Sequence, residues 1–210
     1  MPLNVWAFAA VAVPLVATPG ASTAVVLRNS IAGGVRSGAA TAVGVNSGSI
    51  AYGLVTAFGL SAALQRWPSV WVALRIAGIA YLAWLGLRSL VRAFARDTPD
   101  GGGWRGGTPG GGAHPPLSRQ LREGFFTNAL NPSIATFYLL VVPQFIPRGA
   151  PFAESALILT GVHVGLAFSW HLTWAAAGGT LAAALGRSRP RRVLEGITGA
   201  ALLALAVRLL

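Results

Sequence analysis

Six apolar runs, each long enough to cross a lipid bilayer as a helix, follow one another along this chain. A bilayer core requires about 20 apolar residues in a helix. Only 10% of the residues are charged, whereas a soluble domain carries about 25%. The sequence therefore predicts an all-α integral membrane protein with six transmembrane helices. The runs occupy roughly 3–27, 38–63, 69–92, 122–146, 153–185 and 191–210.

The basic residues are all arginine, and most of them lie between the apolar runs. The connections after the first, third and fifth runs hold 12 arginines, and the opposite side holds 4. Arginine-rich loops face the cytoplasm by the positive-inside rule. We therefore expect a multi-pass protein of the inner cell membrane, in contact with lipid, with both termini outside the cytoplasm. The net charge of +11 then reflects topology and does not indicate a nucleic-acid partner.

A Gly- and Pro-rich stretch at 96–119 divides the six runs into two sets of three. Its composition is typical of a flexible linker, which the orientation places in the cytoplasm. The two sets resemble each other, because setting Pro132 on Pro19 aligns "NPSIAT" with "TPGAST". Because each half has three runs, the second half begins on the opposite side of the membrane from the first. The sequence thus predicts two inverted three-helix repeats, 1–95 and 120–210.

The aligned prolines stand inside the first and fourth runs. Proline lacks an N–H and clashes with the preceding turn, so helices 1 and 4 are expected to be interrupted, with Thr18 and Asn131 capping the helical halves that follow. Matching interruptions in two repeats mark the binding site of many transporters, whereas a structural kink is the alternative. The predicted substrate contacts at the breaks are Thr18, Pro19, Gly20, Ser22, Asn131, Pro132, Ser133 and Thr136.

Polar side chains inside the second and fifth runs are further candidates. Asn46 and Ser49 are predicted to line the same cavity, and interhelical hydrogen bonding with close packing at Gly44 is the alternative. His163 and His171 are candidates for proton coupling, because histidine titrates near neutral pH and ionisable groups in a bilayer are commonly functional. A neutral histidine bonded to a backbone carbonyl is the alternative. Neither histidine has the spacing of a zinc site, and we expect no metal and no cofactor.

Three segments resemble the LysE/RhtB family of amino-acid exporters. They are "TPGAST…VVLRNSIAGGVRSG", "RIAGIAYLAWLGLRSL" and "EGFFTNALNPSIATFYLLVVPQFI", the last of which is similar to the family's Gly-Phe-x-x-Asn-x-x-Asn-Pro-Lys segment. The resemblance implies ion-gradient-driven export of amino acids or related small metabolites. The chain departs from the family pattern at Ala21, Ser22, Ser49 and Ser133.

No acidic residue lies deep in any apolar run, so a cationic side chain would lack a buried counter-charge. A zwitterion with a neutral side chain is the expected substrate, moved by alternating access between the two halves. An ion-selective permease or channel is the alternative, and a membrane-embedded enzyme is a weaker one, since no nucleophile with its base is visible. Small-residue faces at 34–38 and 161–165 permit a homo-oligomer.

Overall fold

The structure is a computed structural model that describes residues 3–18, 20–67, 69–94 and 116–185, with single positions between 196 and 207. Every regular element within these ranges is helical, which confirms the all-α prediction. Most of the sixth predicted run and nearly all of the predicted linker lie outside the described residues. The α-helices are α1 (Val5–Ala17), α2 (Ala21–Leu54), α3 (Ser61–Arg66), α4 (Ser69–Phe94), α5 (Leu117–Ala129), α6 (Pro132–Thr136) and α7 (Phe152–Leu185).

Two α-helices continue into segments with other helical hydrogen bonding. A π-helical segment, Val55–Leu60, joins α2 to α3. A π-helical turn, Phe137–Val141, and a 3₁₀ turn, Val142–Phe145, follow α6 without a gap. α5 begins at Leu117, so the end of the stretch predicted as linker is already helical.

The element α2 folds back on itself at Gly34. Gly34 has a φ of 76°, a left-handed conformation that glycine adopts without the steric penalty of a side chain. The Asn29 amide donates a hydrogen bond of 2.9 Å to the Thr41 hydroxyl, twelve residues further on. Twelve residues of straight helix would separate these positions by about 18 Å. The two arms of α2 therefore lie side by side, and the turn falls in the connection predicted between the first and second runs.

The fourth predicted run contains a break. α5 and the helical segment Pro132–Phe145 meet at 56°, with Leu130 and Asn131 between them. Pro132 cannot donate a hydrogen bond to the carbonyl oxygen of Asn128, four residues earlier. The Asn131 N–H takes that acceptor instead, at 3.0 Å. The helix therefore turns where the proline removes its next hydrogen bond.

Glycines allow α2 and α5 to pack with their backbones in contact. A methyl group at Gly44 would lie 2.0 Å from the carbonyl oxygen of Leu121, and one at Gly124 would lie 2.3 Å from that of Thr41. Close approach of this kind is typical of small residues at membrane helix interfaces. The close packing expected at Gly44 is present, and its partner is α5.

Residues of both halves pack together in buried apolar clusters, the larger of which includes Phe8 of α1. Phe8 of α1 packs edge-on against Phe145, with ring centroids 5.3 Å apart, and against Phe137 at 5.9 Å. Ala57 and Leu159 are buried in the same cluster. The first helix of the first half is therefore anchored on the helical segment that follows the second break.

Length and composition qualify two described stretches as membrane spans, Ala21–Leu60 and Phe152–Gly178. A third candidate span is present if the two helices of the bent pair, Leu117–Ala129 and Pro132–Phe145, together cross the membrane once. The described part of the chain thus has two or three candidate spans, and the arrangement of six spans in inverted repeats stays a prediction.

Candidate functional site

The first break in the fold lies between α1 and α2, at the predicted motif. α1 ends at Ala17, Thr18 is extended, and Gly20 is the N-cap of α2. The Thr18 hydroxyl donates a hydrogen bond of 2.8 Å to the carbonyl oxygen of Pro14, within α1. The N-cap of α2 is thus Gly20 and not Thr18, which the sequence had suggested for that position. Pro19 lies outside the described residues.

The second break places Asn131 as predicted. Its side-chain oxygen accepts a hydrogen bond of 3.0 Å from the Ser133 N–H, so Asn131 is the N-cap of α6. Pro132 and Ser133 are exposed on the first turn. The Thr136 hydroxyl donates to the carbonyl oxygen of Pro132 at 2.6 Å, so it stays within its own helix.

The starts of α2 and α6 differ in the hydrogen-bond donors they offer. Pro132 has no N–H, and the N–H groups of Ser133 and Ile134 are bonded to Asn131. At α2, by contrast, no side chain among the described residues caps the N-terminus, which begins at the exposed Gly20. The first N–H groups of a helix lack partners within it. The N-terminus of α2 therefore carries partial positive charge and N–H groups without partners inside the helix.

Asn128, which the sequence analysis did not select, connects the two breaks. Its side-chain oxygen accepts a hydrogen bond of 3.0 Å from the Ser22 hydroxyl, one residue into α2. Its amide nitrogen donates to the carbonyl oxygen of Val45 at 2.8 Å and to the Ser49 hydroxyl at 2.9 Å. The predicted residues Ser22 and Ser49 are thus brought together by a buried asparagine of α5. Asn128 could have been identified from the sequence, because it is the first Asn of the family-like pattern in "GFFTNALNP".

Asn46 and His171 form a separate buried pair between α2 and α7. The Asn46 amide nitrogen lies 3.2 Å from His171 Nδ1 and donates to the carbonyl oxygen of Ala42 at 2.8 Å. Asn46 Oδ1 has no hydrogen-bond partner within the described part of the chain. The structure therefore pairs these two predicted residues with each other, and within the described ranges their hydrogen bonds do not reach the residues at the breaks.

His163 is buried against Tyr138. Its Nδ1 lies 2.9 Å from the Tyr138 hydroxyl, and its ring stands edge-on to that of Tyr138, with centroids 5.4 Å apart. The Phe137 ring is 4.8 Å away on another side. The partner of His163 is therefore a titratable side chain, not the backbone carbonyl that the alternative interpretation assigned to it.

Acidic side chains in the described residues lie away from the breaks. Glu123 pairs with Arg28 and accepts a hydrogen bond of 3.0 Å from Asn29. Glu154 is exposed in the first turn of α7. Nowhere in the described ranges do three His, Asp or Glu side chains come together as a metal site would require.

Apolar helices, glycine-mediated backbone contacts and paired helix breaks define a helical integral membrane protein. The family model described as "LysE type translocator" matches residues 13–210. The chain therefore belongs to the LysE type translocator family, as its motifs indicated. Membership in a translocator family places it among transporters rather than enzymes.

Curated relatives agree with this assignment. The chain is 24% identical over 204 residues to the uncharacterized membrane protein YrhP of Bacillus subtilis (strain 168), and the aligned region covers 96% of each protein. It is 29% identical over 157 residues to the leucine efflux protein of Enterobacter sp. (strain 638), covering 75% of this chain and 70% of the relative. It is 27% identical over 192 residues to the uncharacterized membrane protein YahN of Escherichia coli (strain K12), covering 91% and 82%. No solved structure matches the chain significantly.

Proposed function

We propose that this chain exports amino acids with neutral side chains across the inner membrane by ion-gradient-driven alternating access. Similarity to leucine efflux proteins supports an amino acid with an apolar side chain as the cargo. In the described residues, the absence of a carboxylate at the breaks also favours a neutral side chain, since a buried cationic group needs a counter-charge. The arginine distribution favours both termini outside the cytoplasm.

The hydrogen bond of 3.0 Å between Ser22 and Asn128 is the observation that supports this proposal most directly. Ser22 lies two residues after Gly20, and Asn128 lies three residues before Asn131. Each break is therefore a few residues from this contact, although 106 positions separate the two side chains in sequence. Two breaks that meet in one place favour a shared binding site over two independent kinks.

The ends of the broken helices match the two charges of an amino acid. The N-terminus of α2 carries partial positive charge and N–H groups without partners inside the helix, which suit the substrate carboxylate. The C-terminal ends of α1 and α5 carry carbonyl groups with partial negative charge, which suit the ammonium group. In this proposal Gly20, Asn131 and Ser133 contact the main chain of the substrate, and Thr18, Pro19, Ser22, Pro132 and Thr136 shape the pocket.

The buried polar residues beyond the breaks supply the coupling to ions. Ser49 is bonded to Asn128 near the breaks, and Asn46 is bonded to His171 of α7, so each of the two joins α2 to a neighbouring helix. His163 and His171 are buried ionisable groups that can take up a proton in one state of the cycle and release it in the other.

A transport assay with the purified full-length chain in proteoliposomes tests the proposal. We expect labelled leucine to exchange across the membrane and to accumulate under a pH gradient, while labelled lysine does not. Asn128→Ala should lower leucine exchange at least about tenfold, whereas Asn4→Ala, which removes an asparagine from the far end of α1, should leave exchange close to normal. Movement of an inorganic ion without any amino acid would replace the proposal with the ion-permease alternative.

A further inference from the structure

One side chain of α2 contacts both arms of the second helix break. The Tyr52 hydroxyl donates a hydrogen bond of 2.6 Å to the carbonyl oxygen of Ala129, the last residue of α5. The Tyr52 ring stacks on the ring of Tyr138, with centroids 6.3 Å apart and planes 16° from parallel. Tyr138 lies in the π-helical turn that follows α6, on the other arm. Tyr52 therefore joins the two arms across the 56° bend.

The break itself leaves the Ala129 carbonyl in need of this hydrogen bond. In a continuous α-helix its oxygen would accept from the N–H of Ser133, four residues later. That N–H instead donates to the side-chain oxygen of Asn131, the N-cap of α6, at 3.0 Å. The Tyr52 hydroxyl thus replaces the helical donor that the break removes. Because a half-buried carbonyl without a donor costs free energy, this hydroxyl does more than fill space.

Thr56, one turn after Tyr52, adds a second contact on the far arm. Its hydroxyl donates to the carbonyl oxygen of Tyr138 at 3.2 Å, and both side chains are fully buried. Thr56 belongs to the π-helical segment Val55–Leu60, and Tyr138 to the π-helical turn Phe137–Val141. Two π-helical segments therefore meet at this contact, and such segments are frequent at functional sites.

The near arm is held from the same face of α2. Asn128, next to Ala129, donates to the carbonyl oxygen of Val45 at 2.8 Å and to the Ser49 hydroxyl at 2.9 Å. Val45, Ser49 and Tyr52 are spaced by four and three residues, so they lie on one face of the helix. Since α2 belongs to the first half of the chain and α5 to the second, the C-terminal end of α5 is positioned by the opposite half.

We propose that Tyr52 is a positioning residue for the ammonium group of the substrate, because it fixes the last carbonyl group of α5. The inference rests on the proposed function, in which the C-terminal end of α5 faces that ammonium group. A carbonyl oxygen has two lone pairs, so Ala129 can accept from Tyr52 and from an ammonium group at once. Tyr52 directs this acceptor without touching the substrate, and its stacking on Tyr138 holds the far arm at a constant angle to it.

Leucine exchange by Tyr52→Phe in proteoliposomes tests the inference. The variant keeps the stacked ring and removes only the hydroxyl. We expect the KM for leucine to rise about three- to tenfold, the effect of one ordinary hydrogen bond, while the maximal exchange rate stays within about twofold of wild type. A role in folding alone would lower the amount of active protein, and hence the maximal rate, without raising the KM.

Two leucine analogues identify the substrate group that is affected. Leucinol keeps the ammonium group and lacks the carboxylate, whereas 4-methylpentanoate keeps the carboxylate and lacks the ammonium group. In Tyr52→Phe, inhibition of leucine exchange by leucinol should weaken by the same factor as the KM for leucine rises. Inhibition by 4-methylpentanoate should be unchanged, because this analogue has no group to place on the Ala129 carbonyl.

Tyr81→Phe is the matched control, since it removes a tyrosine hydroxyl from α4, where the ring packs against Trp84. Its KM for leucine should equal that of wild type. Thr56→Val removes the hydroxyl that holds the far arm and should raise the KM in the same direction as Tyr52→Phe. If Tyr52→Phe fails to insert, Thr56→Val replaces it in the assay.

An unchanged KM in Tyr52→Phe, or in Thr56→Val where that variant replaces it, would overturn the inference. Equal weakening of inhibition by leucinol and by 4-methylpentanoate would also overturn it, since the effect would then not concern the ammonium group. Either result would leave the proposed export intact. Absence of any leucine exchange by wild type would overturn the proposed function itself.

Discussion

Arg28 and Glu123 form an ion pair between the first arm of α2 and α5, and Asn29 adds a hydrogen bond of 3.0 Å to the same carboxylate. Both charged side chains are partly exposed, and such pairs contribute about 0–1 kcal/mol to stability. The pair joins the first half of the chain to the second on the side where the arginine-rich connections lie. In the proposed alternating access, this location suits a contact that opens and closes.

Arg28→Ala should change the transport rate more than the stability. We expect the melting temperature of the detergent-purified protein to shift only slightly, because an exposed pair is lost, while leucine exchange changes several-fold. The exchanged pair Arg28→Glu with Glu123→Arg should restore much of the rate. Fluorescence-detected melting and vesicle exchange measure the two effects. A large loss of stability with an unchanged rate in the remaining protein would assign the pair to folding alone.

The α2–α5 interface predicts that alanine substitutions at different glycines will have very different effects on stability. A methyl group at Gly124 would lie 2.3 Å from the carbonyl oxygen of Thr41, while one at Gly161 or Gly165 would meet nothing within 4 Å. Gly124→Ala should therefore force the helices apart and destabilise the protein by about 1–3 kcal/mol, as overpacking does. Gly165→Ala, the matched control on α7, should leave the stability unchanged or raise it slightly. Thermal unfolding in detergent gives the comparison, and equal melting temperatures would contradict this interface.

The helix breaks were predictable from the sequence because proline acts locally. Pro132 removes one hydrogen bond and Asn131 supplies a cap, both within a few residues, so the aligned motifs were enough to locate the break. The direction of the Thr18 hydroxyl was not predictable in the same way. A threonine at a helix end can bond forward as a cap or back to a carbonyl four residues earlier, and here it bonds back to Pro14.

The role of Asn128 could not be derived from local rules. Its partners Ser22 and Ser49 are 106 and 79 positions away in sequence, and they meet only because α2 folds back at Gly34 and packs on α5. Periodicity and composition predict helices, but they do not state which helices touch. The pairs His163 with Tyr138 and His171 with Asn46 were beyond sequence reasoning for the same reason.

Replacing the prolines at the breaks should affect transport and not insertion. Pro19→Ala and Pro132→Ala restore a backbone N–H, so each break can close into a continuous helix that no longer offers its end to a substrate. We expect leucine exchange to fall at least about tenfold in each variant, with normal amounts of protein in the membrane. Pro151→Ala, before the start of α7, is the control. Full leucine exchange in both variants would instead support the alternative, in which the two motifs are structural kinks.

His171 should make export sensitive to pH through its contact with Asn46. The Asn46 amide nitrogen, 3.2 Å from Nδ1, faces an acceptor only when His171 is neutral. A proton on Nδ1 would set two donors against each other and disturb the α2–α7 contact. His171→Gln, which cannot titrate, should therefore make export less dependent on pH. Asn46→Asp places a carboxylate beside the ring, which favours the charged imidazole and should shift the response to higher pH.

His114→Gln, in the predicted linker, is the control for these variants. A wild-type pH profile in both His171→Gln and Asn46→Asp would remove His171 from the coupling mechanism.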